Sequence, residues 1–415
     1  MIMRFPLRCV GCETAFTARV GVAPTDLTRF YLLCPTCGLP IHGRSTGQEL
    51  EQLRVEFDDA EKIAGDGTDQ PVVTIDPSVP ARSDADWNSG FGSFTMMTFH
   101  FLLGDAVSEY FDDVGTAQTA ALEGWKSVRR IGRYYLDGSW VFFDKIGRET
   151  FPDWEPKTTD YERAAQMFRA VGAVTEQVVG SRADRTAKFM ERYLLKHRAA
   201  LRTPAYVELL QADLAEGRIG TLQRDVFAQV DTFLRSYDAW SLGRLPRFLN
   251  VASKASLEDL TLFRDDFTQL RDLYQQGFEL VCKTTRYMVA AQNTIKRGDP
   301  NDFGTATPAG VGEKQRPKTL KGFDKLPNAS RLAYAAIVPG WEGMTELLNN
   351  RTRNAIGHAT AHHDLRTGTI VSDVDPSGTQ YLDFVGHVFD VFDALATAMQ
   401  VIGRVRIAAS PNPYV

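Results

Sequence analysis

Leu260, Phe263, Phe267, Leu270, Tyr274, Phe278 and Val281 recur every three or four positions. That spacing lays one apolar stripe along a helix and predicts a long helix over about 256–297. Tyr161, Ala165, Phe168, Val171, Val174 and Val178 draw a second stripe of the same period, and Leu222, Val226, Val230, Phe233 and Tyr237 a third. A fourth, through Phe384, Val388, Val391, Leu395, Met399 and Ile402, keeps helical spacing up to Pro411 and Pro413. Met344, Leu347 and Leu348 offer a buried face to another helix, predicted to start near Pro339-Gly340-Trp341 and to run into Arg353.

Elsewhere the period drops to two. Leu53-Arg54-Val55-Glu56-Phe57 alternates as a half-buried strand does, and Val72-Val73-Thr74-Ile75 reads as another. The run from Tyr135 to Phe143 is split by Asp137-Gly138 and predicts a hairpin; Thr369-Ile370-Val371 and Tyr381-Leu382-Asp383-Phe384, flanking Asp375-Pro376-Ser377-Gly378, predict a second, two-stranded one. The fold class is mainly α and multi-domain. An N-terminal unit with short strands occupies residues 1–75. A linker rich in Pro, Ser, Asp and Gly covers 76–90, a mainly helical middle domain 91–250, and a helical bundle with a short β-hairpin 251–410.

The N-terminal unit carries Cys9-Val-Gly-Cys12 and Cys34-Pro-Thr-Cys37, two CxxC pairs separated by 21 residues. Four thiolates in pairs match a tetrahedral zinc ion, and Gly11 and Gly38 supply the permissive backbone that such turns need. The predicted module is a zinc ribbon holding one structural Zn2+, with no ligand position left for catalysis. Disulfides are the competing use of these thiols; no secretory signal precedes them, which disfavours that use. His42 lies just past the last cysteine and is not needed as a ligand, and Cys282 reads as a packed core thiol. Such a ribbon binds nucleic acid or a protein partner, although Arg4, Arg8, Arg19 and Arg29 are offset by Glu13, Asp26, Glu49 and Glu51.

Composition fits a globular intracellular chain: 415 residues, 43% hydrophobic, with a net charge of −5 that does not advertise a nucleic-acid binder. Local charge differs. Lys314, Arg316, Lys318 and Lys321 lie in a Gly- and Pro-broken segment that could engage RNA phosphates, or equally serve as a solvated linker. Phe94 to Val107, broken by Gly104 and Asp105, is too short to span a bilayer, so the expectation is a cytoplasmic protein without membrane contact.

Arg353-Asn354-Ala355-Ile356-Gly357-His358 places a permanent cation and a titratable imidazole five positions apart. Cleavage of RNA by its own 2′-hydroxyl needs a base near neutral pH, an acid for the leaving oxygen and positive charge facing the phosphorane. Histidine and arginine supply these without a metal. On an ideal helix five positions advance about 140° beyond a full turn, so the pair converges only through a long arginine arm, a distorted turn at Gly357 or a second subunit.

The segment resembles the R-x4-6-H signature of HEPN-domain ribonucleases, in which a small polar residue such as Asn354 often follows the arginine. The order of long helix, motif helix, short β-insert after Asp364 and final helix is similar too, over about residues 255–408. The resemblance implies a metal-independent endoribonuclease in which two protomers face their motif helices across a shared cleft. It assigns His358 to general acid or base work, Arg353 to the phosphorane and Asn354 to orientation. It further implies action on transfer or messenger RNA, as in toxins and antiviral defence effectors.

Other readings compete. A non-cleaving adaptor would use ribbon and bundle as binding surfaces, with a structural Arg353/His358 pair. His358, His362 and His363 could present an HxxxH metal face, but Ala359 stands where a zincin has its glutamate. His362 and His363 otherwise read as solvated helix-end residues, Asp112-Asp113 and Asp265-Asp266 as solvated helix faces, and His100, His197 and His387 as packed. Gly310-Val311-Gly312-Glu313-Lys314 lacks Walker spacing, which argues against nucleotide hydrolysis.

Overall fold

The computed structural model describes residues 1–65, 67, 69–82, 94–180, 183–249, 260–338, 340–357, 360–373 and 375–411. Helices take 59% of the chain and strands 15%, so it is mainly α. Two compact units are present, each assembled from three stretches of sequence. The first contains Met1–Asp112, Asp238–Asp272 and Arg351–Phe389; the second contains Asp113–Tyr237, Leu273–Asn350 and Asp390–Val415. Residues 251–410, expected to make one bundle, are shared between the two units.

The first unit holds the strands. β1 (Ile2–Cys9) and β2 (Ala15–Gly21) form a hairpin, as do β3 (Thr25–Leu33) and β4 (Pro40–Gly47). β5 (Arg54–Phe57), β6 (Ala60–Lys62) and β7 (Val72–Ile75) complete two sheets, ordered β6-β1-β2-β7 and β3-β4-β5. Leu7, Phe16, Val20, Phe30, Leu32 and Ile41 pack between them without solvent exposure. The strands expected at Leu53–Phe57 and Val72–Ile75 are β5 and β7. Within the expected linker, residues 81 and 82 form β8 (Ala81–Arg82), paired with β9 (Leu260–Thr261); residues 83–90 lie outside the described residues.

The helices begin with α1 (Phe94–Leu103) and α2 (Val107–Thr119). α3 (Trp125–Leu136), α4 (Trp140–Thr150), α5 (Asp160–Val179), α6 (Ala183–Ala200), α7 (Pro204–Ala215) and α8 (Arg218–Arg235) follow. The stripes at Tyr161–Val178 and Leu222–Val230 are the buried faces of α5 and α8. Thr159 caps the start of α5, its Oγ1 accepting from the Glu162 amide at 3.2 Å and donating to the Glu162 carboxylate at 2.7 Å.

The hairpin expected at 135–144 is instead the corner between α3 and α4. Gly138 adopts φ 69°, and the Ser139 amide donates to Tyr134 O at 2.8 Å. A glycine in the left-handed region ends a helix as readily as it turns a strand, so Asp137-Gly138 is ambiguous in sequence.

The long helix α9 runs Phe267–Arg297, shorter at its start than expected, because Leu260–Thr261 is strand and Asp265 N–H pairs with Arg29 O at 3.2 Å. Residues 251–259 lie outside the described residues. α10 is Asn328–Ala336. The helix expected to run unbroken into Arg353 is interrupted: one turn spans Glu342–Thr345, and α11 (Asn350–Gly357) starts afresh.

Beyond it stand three strands, β10 (His362–Asp364), β11 (Thr369–Ser372) and β12 (Asp375–Gln380), in that order. The expected turn residues Asp375–Gly378 belong to β12, where Ser372 pairs with Asp375 and a register shift absorbs the extra residue. Tyr381–Phe384, expected as strand, opens the final helix α12 (Tyr381–Ala409). Among the described residues one helix, α12, is long and apolar enough to cross a membrane by length and composition, and 78% of its most apolar window is buried within the protein.

Candidate metal centre and the Arg353 segment

The two CxxC turns have the same backbone. In each, the amide of the residue four after the first cysteine donates to that cysteine's carbonyl, Glu13 to Cys9 at 2.9 Å and Gly38 to Cys34 at 3.0 Å. The first cysteine's amide donates in turn to the carbonyl five residues on, Thr14 at 3.1 Å and Leu39 at 2.9 Å. The turn therefore needs positive φ at its fifth residue. Gly38 provides it at 68°, as expected; in the other turn Glu13 takes it at 58° and Gly11 does not. Gly11 serves another purpose, since a Cβ there would stand 3.1 Å from Leu39 and 4.0 Å from the Cys37 sulfur.

These turns bring all four Sγ atoms within 4.8 Å of one another. Cys9 and Cys37 are 3.8 Å apart, Cys12 and Cys34 3.6 Å. All four are free thiols rather than disulfides. Hydrogen bonds from the Thr14 hydroxyl and amide lower the Cys12 pKa to about 6, while burial raises that of Cys34 to about 12. Cys9, Cys12, Cys34 and Cys37 could together hold a metal ion, and they are the one such group among the described residues. Of the HxxxH alternative, His362 and His363 lie on strand β10, while His358 and Ala359 lie outside the described residues.

Arg353 sits on α11, whose buried side is formed by Thr352 and Ile356. It is half-buried and Asn354 exposed; Arg353 Nη1 donates to Asn354 Oδ1 at 3.4 Å. Its expected partner His358 follows the last described residue of the helix, Gly357. Lys314, Arg316, Lys318 and Lys321 are all exposed, with Arg316 Nη1 donating to Thr305 O at 2.8 Å.

Sequence reasoning missed His363. Its ring stacks on Tyr381 at 4.3 Å and 11° and meets Tyr31 edge-on at 5.7 Å. Neither ring nitrogen has a hydrogen-bond partner, and burial pushes its pKa down to about 4. It is therefore not the solvated helix-end residue expected. Its partners come from β3 and α12, and alternation within the two-residue His362-His363 pair was the only local signal.

Asp265 and Asp266 were likewise read as a solvated helix face. Asp265 instead pairs with His42 Nδ1 at 2.8 Å, and Asp266 is buried against Arg264 at 2.6 Å. His100 is exposed, not packed. His197 and Cys282 are buried, as expected, and His387 lies 3.6 Å from Asp383.

In the second unit a cavity of 450 Å³ is lined by Arg218, Lys283, Arg286, Asp225, Asp324 and Arg331, among others. Its floor is an ion network in which Arg286 binds buried Asp213 at 3.2 Å and Asp324, and Arg218 binds Asp213 at 3.0 Å. Carboxylates and cations there nearly balance, so the cavity selects neither sign of ligand.

No protein-family model, curated protein or solved structure matches this chain.

Proposed function

We propose that the chain is a metal-independent endoribonuclease of HEPN type, in which Arg353 and His358 act on one scissile phosphate. His358 moves the proton of the attacking 2′-hydroxyl or of the leaving oxygen, Arg353 faces the charge on the phosphorane, and Asn354 orients imidazole or substrate. Two copies of the Arg353–His358 segment meeting across a dimer would supply both groups to one cleft. Lys314, Arg316, Lys318 and Lys321 would track the RNA backbone, and a cytoplasmic role in toxicity or antiviral defence fits the resemblance.

The observation that carries the reading is the setting of Arg353. α11 buries Thr352 and Ile356, which anchors the helix; Arg353 is half-buried with its Nε inside, and its Nη1 reaches the exposed Asn354 side chain at 3.4 Å. The order of long helix α9, short α11, small sheet and long α12 also supports it.

We further infer that the four-cysteine centre holds one structural Zn2+. A tetrahedron with Zn–S bonds of about 2.3 Å has sulfur–sulfur edges of about 3.8 Å, and the two measured pairs stand at 3.8 and 3.6 Å. With four thiolates bound, no position is open for substrate, so the ion would shape the ribbon and take no part in cleavage.

The test is incubation of purified chain with RNA. The reading expects products ending in 2′,3′-cyclic phosphate, and Arg353→Ala and His358→Ala variants that keep their melting temperature but lose at least about a hundredfold in rate. Undiminished cutting by both variants would reject it. Binding of RNA without any products would favour the adaptor reading instead.

A further inference from the structure

The corner between α3 and α4 carries a stacked aromatic pair at the surface, Phe142 exposed and Tyr134 half-buried. Phe142 is 53% and Val141 79% exposed. The Phe142 ring stacks on Tyr134 of α3, with centroids 5.4 Å apart and planes inclined by 29°. Full burial of such a ring is worth about 2 kcal/mol, so a stacked pair left at the surface beside a valine marks a contact face.

Beneath it the corner is stiff. Tyr135, Trp140, Phe143 and Trp154 pack edge to face, with centroids 5.9, 6.2 and 5.1 Å apart in succession. Gly132 lies so close to Phe227, and Gly147 so close to Trp154, that a Cβ would stand 2.2 and 2.1 Å from those rings. The aromatic pair is thus held in place before any partner arrives, which lowers the cost of binding.

Cations frame the pair. Lys126, Arg130 and Arg133 recur at helical spacing on α3 and end beside Tyr134; Lys145 and Arg148 continue from Val141 on α4. Lys126, Arg130, Lys145 and Arg148 are exposed and have no ion pair among the described residues. Arg133 lies 3.5 Å from Asp231 with 55% of its side chain exposed. That carboxylate is already engaged by Arg129 at 3.8 Å and the Trp125 indole at 2.8 Å. The exposed acids of this corner, Glu123, Asp137 and Glu149, are fewer than its cations.

We propose that this face is a stacking platform for single-stranded RNA. The Tyr134–Phe142 pair takes the face of one unpaired base, and Arg130, Arg133 and Lys145 take the phosphates on either side. Bases in a duplex are stacked on one another and offer no free face, so the platform selects single strands. The choice of RNA over DNA rests on the ribonuclease reading; the platform itself does not.

Fluorescence anisotropy of the full chain carrying His358→Ala, titrated into a short labelled oligouridylate, tests this without confounding by cleavage. Phe142→Ala in that background should weaken binding about tenfold or more with unchanged melting temperature, because that ring is exposed, and Tyr134→Phe, which keeps the half-buried ring, should leave binding unchanged. Arg130→Glu with Lys145→Glu should flatten the dependence of affinity on salt. An RNA duplex of the same sequence length should bind more weakly, and a DNA oligomer comparably to the RNA.

Unaltered affinity in the Phe142→Ala variant would overturn the proposal. So would a fall in mass by light scattering without a fall in RNA affinity, which would make the face a contact between two copies of the chain. Cleavage that persists with Phe142→Ala at full affinity would sink the platform and leave the ribonuclease reading standing. Phe142-dependent binding without cleavage by the unsubstituted chain would do the reverse.

Discussion

His363 and His197 are neutral at physiological pH for one reason, the loss of water around the ring. Burial holds each near a pKa of about 4, whereas an unfolded histidine titrates near 6.5. Between those values the unfolded chain binds a proton that the folded chain refuses. Stability is therefore undiminished above about pH 6.5 and falls as pH drops toward 4, by up to about 1.4 kcal/mol per pH unit for each histidine. His197 has Tyr206 Oη at 3.2 Å from Nδ1, but His363 has neighbouring rings and no partner at either nitrogen. His363→Phe keeps the stacking on Tyr381 and removes two buried unpaired atoms. It should raise stability at pH 7 by about 1–3 kcal/mol and make the acid limb shallower. Urea unfolding at pH 7 and pH 5 measures both; an equal pH dependence in variant and parent would contradict this account of the histidine.

Among elements, the amphipathic helices were legible and the corners were not. Stripes at Tyr161–Val178 and Leu222–Val230 gave α5 and α8 because burial of one helical face leaves its period in the sequence. The Asp137-Gly138 and Asp375–Gly378 segments misled because a left-handed glycine serves a helix end, a bulge or a hairpin turn alike. The interruption before α11 left no periodic signature, since Met344, Leu347 and Leu348 are buried with or without a continuous helix. At the candidate site the cysteine pairs were legible from spacing alone, whereas His363 depends on Tyr31 and Tyr381, far away in sequence. Glycines give a test at this scale. Gly147→Ala forces a methyl into the Trp154 ring and should cost about 1–3 kcal/mol. Gly115→Ala, on the exposed side of α2 with nothing within 4 Å, should stabilise by up to about 1 kcal/mol. Thermal unfolding with shifts of the same sign in both variants would contradict the packing described.

For the whole molecule, the distribution of chemistry between the two units matters most. The cysteine centre, α11 and His363 belong to the first unit; the aromatic pair of α3 and α4 and the basic segment near Lys314 belong to the second. A structural zinc predicts one ion per purified chain by elemental analysis. Cys34→Ser should lose the ion and melt the β1–β4 region, because the metal's binding energy is folding energy there. Two ions per chain would point to a second metal site. The central claim is cleavage by Arg353 and His358, and analysis of RNA ends after incubation with metal-loaded chain, with and without His358→Ala, tests it most directly. The account predicts 2′,3′-cyclic phosphate ends from the parent and intact RNA from the variant; identical products from both would contradict it.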